Sequence, residues 1–335
     1  MSKILFIDNT KIFEKWASKT YEYKINEIKK NDSFEFVDID DIENNEYLEK
    51  DYIMVVFGWN ATYISKFYTF KYNYYTKYIK NLDHKEMMEK KLQPFLEWER
   101  KYLVIQDLAD YDYEGGLPNF CNYILKHNIN GVITPYHKTE TMKYVLTRVP
   151  KLRIVHIEHH INSNYFKDYN FKKKYDIFLF GTINTHYPFR QRLKSLLLKN
   201  KDKFTILFWD KFRNYFRFEK HKSNDALSKI MNRSWLTICT RAKYDMLLGK
   251  YFEASMSKSI VCGNMPTDGV NIWDDNYIHL DYTMSDDEII SIIQKALQYK
   301  SKLLNNANIM LNKMEDYHLS KFAQKLYFKL QMELI

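Results

Sequence analysis

Two carboxylates able to bind a ligand stand close together in the stretch DMLLGKYFEA. Asp245 and Glu253 are separated by seven residues. A carboxylate accepts hydrogen bonds from paired vicinal hydroxyls, such as those of a ribose or a pyranose ring. The helix start between them would bind phosphate through its free N–H groups and the helix dipole. The combination predicts a site for a nucleotide-diphosphate sugar whose two sugar rings are held by carboxylates.

Ordinary structural roles compete with this interpretation. A carboxylate near a helix N-terminus stabilises the helix by about 0.3–1 kcal/mol through the dipole alone. Loop aspartates also commonly cap helices, so Asp245 is left open between capping and ligand binding.

A glycine and an arginine supply the other half of the predicted site. Gly181 ends the apolar run YDIFLFG and would let a ligand approach the backbone closely. Arg190 falls in the first turns of the next helical segment, where its planar fork either reaches a diphosphate or faces solvent. Trp209 ends the following run and either stacks on a nucleobase or belongs to the core.

Short apolar runs of strand length alternate with longer segments of helical periodicity. Because the runs are nearly continuous in hydrophobicity, they predict strands buried on both faces of a parallel sheet. One series lies at 3–8, 34–39, 52–58, 102–108, 130–136 and 152–158, and a second at 175–181, 203–209, 235–240, 259–264 and 277–281. Helical segments lie at 10–29, 62–99, 117–128, 187–199, 224–232, 247–257 and 285–313. The order predicts an α/β fold of two Rossmann-like, doubly wound domains in tandem, with a cleft between them.

The predicted borders follow from this alternation. The N-terminal domain covers 1–160, a polar linker covers 161–174, and the C-terminal domain covers 175–312. The last segment, 313–335, has helical apolar spacing and predicts a closing helix that packs back toward the N-terminal domain.

Several stretches resemble the GT-B glycosyltransferases. The D-x7-E spacing of Asp245 and Glu253 is similar to their E-x7-E element. IFLFGTINTHYPFRQRLKSLL (177–197) resembles the F-V-G-(x)n-Y-P-x-R opening of the C-terminal domain. RIVHIEHHINSNYFKDY (153–169) resembles the v-x-I-P-x-G-V-D-x-x-x-F crossover between the two domains.

One further stretch is similar to the spore-coat, or CgeB-like, family within that fold. LLGKYFEASMSKSIVCGN (247–264) resembles its R-x-F-E-A-x-A-x-G segment. The sequence departs from that pattern at Lys250, near the usual Arg or Pro, and at Ser257-Lys258, where a small residue and Gly are usual. The first change keeps a cation near the expected diphosphate.

The resemblance implies a hexosyl- or pentosyltransferase that moves a sugar from a nucleotide-diphosphate donor to a glycan, protein or small-molecule acceptor. It implies a metal-independent reaction with no cofactor beyond the nucleotide-sugar co-substrate, and the D-x7-E element favours retention of configuration. The donor-binding residues that it implies are Gly181, Thr182, Arg190, Trp209, Asp245, Lys250 and Glu253.

Side chains after the strands of the first domain are expected to face the acceptor. The candidate acceptor-binding residues are Gly58, Trp59, His137 and His160, and the candidate catalytic residues are Asp107, Asp110, Asp245 and Glu253. An inverting enzyme would need a base from the first domain to take the proton of the acceptor hydroxyl, whereas a retaining enzyme needs no dedicated base.

Two alternatives stay open at this point. The chain could be a nucleotide-sugar epimerase of the same architecture, or a non-catalytic sugar- or nucleic-acid-binding module with a GT-B-like fold. The run YISKFYTFKYNYYTKYIK (63–80) could stack on bases, form an acceptor wall, or follow a compositional bias along an amphipathic helix.

Bulk properties restrict the compartment and the partners. The formal charge of +9 is spread along the chain as lysine, so no specific nucleic-acid partner is expected. Three cysteines far apart and no secretory signal predict free thiols in a cytoplasmic protein, and no apolar run is long enough for a transmembrane segment. HIEHH (156–160) does not match H-E-x-x-H, and the D-x-D at 110–112 is a common chance pattern, so no metal site is predicted.

Overall fold

The chain forms two compact units in a computed structural model. The structure describes residues 3–9, 19–43, 45–58, 61, 90–105, 116–183, 187–209, 220–242 and 244–334. The first unit consists of Met1–Glu158 with Ser320–Ile335, and the second of His159–Leu319. The segment 161–174, expected to be a linker, is therefore part of the second unit, and the chain enters the first unit twice.

The first unit is built on a six-stranded parallel sheet. Its strands are β1 (Lys3–Asp8), β2 (Phe34–Asp38), β3 (Tyr52–Phe57), β4 (Lys101–Val104), β5 (Gly131–Thr134) and β6 (Arg153–His156), in the order β2-β1-β3-β4-β5-β6. The helices with described bounds between them are α1 (Lys19–Lys29), α2 (Gly116–Lys126) and α3 (Glu140–Arg148), and residues 90–96 before β4 are helical as well. Four consecutive residues of β1, Ile4 to Ile7, are at most 1% exposed, as expected for a strand covered on both faces.

The second unit is built on a five-stranded parallel sheet. Its strands are β7 (Tyr175–Phe180), β8 (Ile206–Trp209), β9 (Ser234–Ile238), β10 (Ile260–Gly263) and β11 (Ile278–His279), in the order β11-β10-β9-β7-β8. Its helices are α4 (Pro188–Lys199), α5 (Lys220–Asn232), α6 (Gly249–Met256), α7 (Val270–Trp273), α8 (Asp286–Gln298) and α9 (Lys300–Lys313).

Helices cover both faces of the second sheet. Ile177 of β7 packs in one cluster with Leu193 of α4 and Ile289 of α8. The next residue of the strand, Phe178, packs in a different cluster with Phe252 of α6. Because successive side chains of a strand point to opposite faces, this division shows that β7 is buried on both sides. The prediction of two doubly wound, Rossmann-like α/β units is confirmed.

Both sheets have the same strand order relative to their own first strand. In each sheet, the first strand lies between the second and the third. The second strand is therefore added on one side of the first strand, and the third strand on its other side. Open parallel sheets bind ligands at this switch point, beyond the carboxyl ends of the strands. In the second unit the switch point lies between β7 and β9. The loops that follow these two strands are therefore where a site is expected.

The C-terminal part of the chain differs from its prediction in two places. The helix expected over 285–313 is two helices, α8 and α9, because Tyr299 between them has non-helical dihedrals (φ −103°, ψ 57°). Residues 285–313 contain no proline or glycine that would predict this break. The expected closing helix begins with the 3₁₀ turns Met314–Tyr317 and Leu319–Lys321, and only then becomes α10 (Phe322–Met332). Within the described ranges, no helix is both long and apolar enough to cross a bilayer.

Candidate functional site

Arg190 joins the two loops at the switch point of the second sheet. It is the third residue of α4, and only 3% of it is exposed. Its Nη1 donates to the carbonyl oxygen of Thr182, after β7, at 2.8 Å. Its Nε donates to Oγ1 of Thr240, after β9, at 3.1 Å. The guanidinium also lies 4.0 Å from the ring centroid of Tyr187. The sequence thus places a fixed cation where the topology predicts a ligand.

The partners of Arg190 in the described part of the chain are neutral oxygens and a ring. Burial lowers the pKa of this guanidinium from its ordinary value, because the charged form loses hydration. An arginine nevertheless stays charged at physiological pH. Among the described residues no carboxylate pairs with this buried cation, and a buried cation is stabilised by an anion, so Arg190 is suited to bind one.

A second cation, Lys250, lies close to Arg190. It is 8% exposed in the first turn of α6, and its Nζ donates to the carbonyl oxygen of Phe180 at 3.4 Å. Gly181, which follows Phe180, has a φ of +98°. A Cβ at Gly181 would lie 3.0 Å from Arg190 Nη1 and 3.7 Å from Lys250 Nζ. Both predicted cations, Arg190 and Lys250, therefore approach the backbone of Gly181 on the side where any other residue would carry its Cβ.

Replacing Gly181 by alanine is expected to lower the free energy of unfolding by about 1–2 kcal/mol. An L-residue is strained at this φ, and the new methyl group would press on the guanidinium of Arg190. Urea denaturation measures the change. Gly249→Ala is the matched control, since a Cβ there meets its neighbours only at 3.6–3.9 Å and alanine favours a helix. Equal stability of Gly181→Ala and the wild type would contradict the strain argument.

Asp245 is held by its own loop. It has a φ of +59°, and one carboxylate oxygen accepts from Nη1 of Arg241 at 2.9 Å. The other accepts from the backbone N–H of Thr267 at 3.2 Å and from its hydroxyl at 2.6 Å. These bonds tie the loop before α6 to Arg241 and Thr267, and α6 itself begins without a side-chain cap. The binding of a ligand hydroxyl by Asp245 stays a prediction.

Glu253 is half-buried at the fifth of the eight positions of α6, one turn after its first residue. Its Oε1 would lie 3.9 Å from a Cβ on Gly249, and Nδ1 of His159 would lie 3.8 Å from the same point. Leu248 precedes the helix and provides no side-chain cap for the first-turn N–H groups. The carboxylate of Glu253, the imidazole of His159 and the uncapped start of α6 thus lie close together at Gly249.

The thiol nearest these groups is not a nucleophile. Cys239 is fully buried after β9, and burial raises its pKa to about 12. Since the thiolate is the reactive form, this thiol is inert at neutral pH.

Trp209 ends β8 next to the same loops. It is paired in register with Phe180 of β7, is half-buried, and packs against the core cluster that contains Phe178. This packing agrees with the core alternative, and stacking on a base stays a prediction.

In the first unit, the need for a glycine at position 58 comes from Asp8, a residue that was not predicted from the sequence. A Cβ at Gly58 would lie 2.3 Å from Cγ of Asp8, which is fully buried at the end of β1. The carboxylate of Asp8 accepts from the hydroxyl of Tyr21 at 2.8 Å and from the N–H of Ala61 at 2.9 Å. Asp8 therefore connects α1 with the segment that follows β3, at the switch point of the first sheet. Its position directly after an apolar run was the available signal.

The two histidines predicted to bind an acceptor have different environments. His137 is exposed after β5, with its ring 5.5 Å from that of His156. His160 belongs to the second unit and is fully buried, with its ring 6.1 Å from that of Tyr317. A fully buried ring offers no surface to an acceptor, so the structure gives this role of His160 no support.

The remaining candidates lie outside the described residues. These are Trp59, Asp107 and Asp110, together with the aromatic and basic run at 63–80. Among the residues that are described, no group of three or more His, Cys, Asp or Glu side chains is arranged to hold a metal ion.

Comparison with known proteins identifies the fold. No protein-family model and no curated protein matches the sequence. HepE of Anabaena, solved in complex with UDP and glucose, matches with a TM-score of 0.58 at 9% identity, over 99% of this chain and 100% of that chain. Sucrose-phosphate synthase from Thermosynechococcus elongatus matches with a TM-score of 0.59 at 9% identity, over 100% of this chain and 99% of that chain. The chain has the GT-B fold.

Two residues of this candidate site were not assigned from the sequence. Tyr187 precedes the proline that starts α4, and Thr240 ends the apolar run WLTICT. Both hold Arg190, yet Thr240 is 50 residues away from it along the chain. The Y-P-x-R pattern signalled Tyr187, whereas only the pairing of β7 with β9 brings Thr240 to the site. The resemblance to the CgeB-like family stays a prediction.

Proposed function

We propose that this GT-B chain is a glycosyltransferase that moves a sugar from a nucleotide-diphosphate donor to a glycan, protein or small-molecule acceptor. The approach of Arg190 and Lys250 to the bare backbone at Gly181 is the observation that carries the proposal. The diphosphate would lie at Gly181 between the two cations. The ligands of HepE, which was solved with UDP and glucose and also with UDP-glucose, agree with such a donor.

The chemistry of transfer requires a fixed positive charge at this position. Cleaving the bond between sugar and diphosphate leaves negative charge on the phosphate and positive charge on the sugar ring. Cations that are already in place stabilise the leaving group without reorganising during the reaction. Arg190 meets this requirement because Thr182, Thr240 and Tyr187 hold it. Two protein cations also supply charge that a divalent ion would otherwise provide, which supports a metal-independent reaction.

The carboxylates then take different roles in the proposed complex. Glu253 would accept hydrogen bonds from hydroxyls of the transferred sugar, next to the uncapped start of α6. Asp245 would keep the preceding loop in shape through Arg241 and Thr267. In this arrangement Glu253 selects the sugar, whereas Arg190 and Lys250 bind the part common to all donors.

A donor screen tests the proposal. Thermal unfolding and donor hydrolysis would be followed with UDP-, GDP-, TDP- and CMP-sugars, with and without EDTA. At a concentration about 100 times the dissociation constant, the correct donor should raise the unfolding temperature by roughly 4 °C. The shift should not depend on EDTA.

Glu253→Gln separates recognition of the sugar from recognition of the nucleotide. It should keep the shift caused by the free nucleoside diphosphate and lose the additional shift caused by the sugar. Glu315→Gln, at an exposed position of the same unit, is the matched control and should behave as the wild type. Failure of every donor to stabilise the folded wild type would overturn the proposed function.

A further inference from the structure

A second groove lies at the opposite end of the same sheet. It measures about 380 Å³, and Lys173, Asn232, Trp235 and Lys258 are among the residues that line it. These residues lie where β7, β9 and β10 begin, whereas Gly181 and Thr240 follow the carboxyl ends of β7 and β9. A strand of six residues spans roughly 20 Å, so the groove is separate from the proposed donor site.

The wall of the groove is a connected set of polar contacts. The carboxylate of Asp168 accepts from Nδ2 of Asn232 at 2.9 Å and pairs with Nζ of Lys258 at 2.8 Å. Oδ1 of Asn232 accepts from the backbone N–H of Phe171 at 3.0 Å. Lys258 holds this position although its φ is +55°. These contacts fix the groove before any ligand arrives.

Two amines face the indole of Trp235 across this groove. Nζ of Lys173 lies 5.9 Å and Nζ of Lys300 lies 5.6 Å from the centroid of that ring. Lys173 donates to the carbonyl oxygens of Ser234 at 2.9 Å and of Lys258 at 2.6 Å, which leaves one of its three donors. Within the described residues, neither amine pairs with a carboxylate.

The charges of the lining residues do not balance. Four lysines (Lys172, Lys173, Lys258 and Lys300) and one aspartate (Asp168) line the groove, which gives it a formal charge of +3. The aspartate is already engaged by Lys258.

We propose that this groove binds a phosphate-bearing ligand, with the phosphoryl group between Lys173 and Lys300. A dianion matches the excess charge of the groove better than a single carboxylate does. The ligand is either a small sugar phosphate or one unit of a phosphate-bearing polymer, since both present the same group. The site does not depend on the proposed transfer reaction.

The ionisation of Lys173 gives the binding a pH dependence. Burial, and after it the neighbouring Lys258, lower the pKa of Lys173 to about 8, while Asp168 acts in the opposite direction. The other lysines of the groove, Lys172 and Lys300, face the same ligand. A bound anion favours the protonated amine, so affinity should fall as the pH rises through 8.

Calorimetric titration of the full chain in 0.15 M salt tests the proposal with inorganic phosphate, glucose 6-phosphate and linear polyphosphate as probes. The Lys173→Met/Lys300→Met variant should bind the preferred probe at least tenfold more weakly and bind UDP as the wild type does. The matched control, Lys201→Met/Lys302→Met, removes the same charge from exposed positions outside the groove and should change affinity less than twofold. Lys173→Met alone should flatten the decline between pH 7 and 9.

The three probes distinguish the sources of the ligand. Tightest binding of glucose 6-phosphate identifies a small metabolite, and tightest binding of polyphosphate identifies a polymer. Absence of saturable binding by the folded wild type, or equal losses in the groove and control variants, would overturn the proposal. A wild-type protein that binds phosphate but none of the nucleotide sugars of the donor screen would instead contradict the proposed transferase and leave this groove unaffected.

Discussion

Replacing Lys24 by methionine is expected to stabilise the protein by about 2 kcal/mol at pH 7. Lys24 lies on the buried face of α1, is 1% exposed, and lines a small cavity with Phe6, Ile28 and Phe322. Burial lowers the pKa of its amine from 10.5 to about 8. Such a shift corresponds to roughly 3 kcal/mol, of which the contact of Nζ with the ring of Phe322 at 5.1 Å offsets about 1 kcal/mol in the comparison with methionine.

The sign of this effect predicts a pH window. The unfolded chain holds the proton of Lys24 more tightly than the folded chain does, so the penalty is complete below about pH 8. It decreases as the pH rises from about 8 through 10.5 and vanishes only above that range, where the amine is neutral in both states. The advantage of Lys24→Met should therefore be constant up to pH 8 and shrink above it. Urea denaturation of both proteins at pH 7, 9 and 10 measures the difference.

An exposed lysine directly after the same helix provides the control. Lys30 is 69% exposed in its side chain and pairs with Glu27 at 2.8 Å. Lys30→Met should change the unfolding free energy by less than about 0.5 kcal/mol at every pH. A Lys24→Met protein that is less stable than the wild type at pH 7 would show that the buried amine has a favourable role.

Arg190→Gln is expected to weaken binding of UDP, or of whichever nucleoside diphosphate the screen identifies, on the order of 100-fold. The variant removes charge-assisted hydrogen bonds to the diphosphate, which contribute about 1.5–3 kcal/mol each. Its unfolding free energy should stay within about 1 kcal/mol of the wild type, because glutamine retains hydrogen-bonding capacity and removes a buried charge. Calorimetry and urea denaturation measure the two quantities separately.

Arg192 supplies the matched control for this result. It lies on the same helix two residues later, but its Nε and Nη2 donate to the carboxylate of Asp286 at 3.0 and 2.7 Å. Arg192→Gln should leave nucleotide affinity unchanged. Arg190→Lys should fall between wild type and Arg190→Gln, since an ammonium keeps the charge and loses the planar fork. Unchanged affinity in Arg190→Gln would separate Arg190 from the donor site.

Local patterns in the sequence predicted the sheets, because burial on both faces leaves a direct trace in composition. The run from Ile4 to Ile7 is one example. The helical spacing of Tyr21, Ile25 and Ile28 likewise places Lys24 on the buried face of α1, so this unusual lysine could be read from the sequence. The break at Tyr299 could not, since its residue types are compatible with a continuous helix.

Only part of the candidate site could be predicted from the sequence, because the site depends on contacts between distant residues. Arg190 and Lys250 were identified as cations near a glycine, but their separation depends on the pairing of β7 with β9 and on the start of α6. The sequence indicated that the carboxylate of Asp245 could bind a ligand, whereas in the folded chain it accepts a hydrogen bond from Thr267. Contacts between residues that are distant in sequence decide which polar groups are already engaged, and no local pattern records them.

The divided first unit also implies an order of folding during synthesis. Phe322, Leu326 and Leu330 of α10 are buried and belong to the unit that begins at the N-terminus. The second unit is continuous from His159 to Leu319, so all of it is synthesised before the helix that belongs to the first unit. The second unit can therefore reach its native state first. The first unit keeps an uncovered apolar surface until α10 has been synthesised and packs on it.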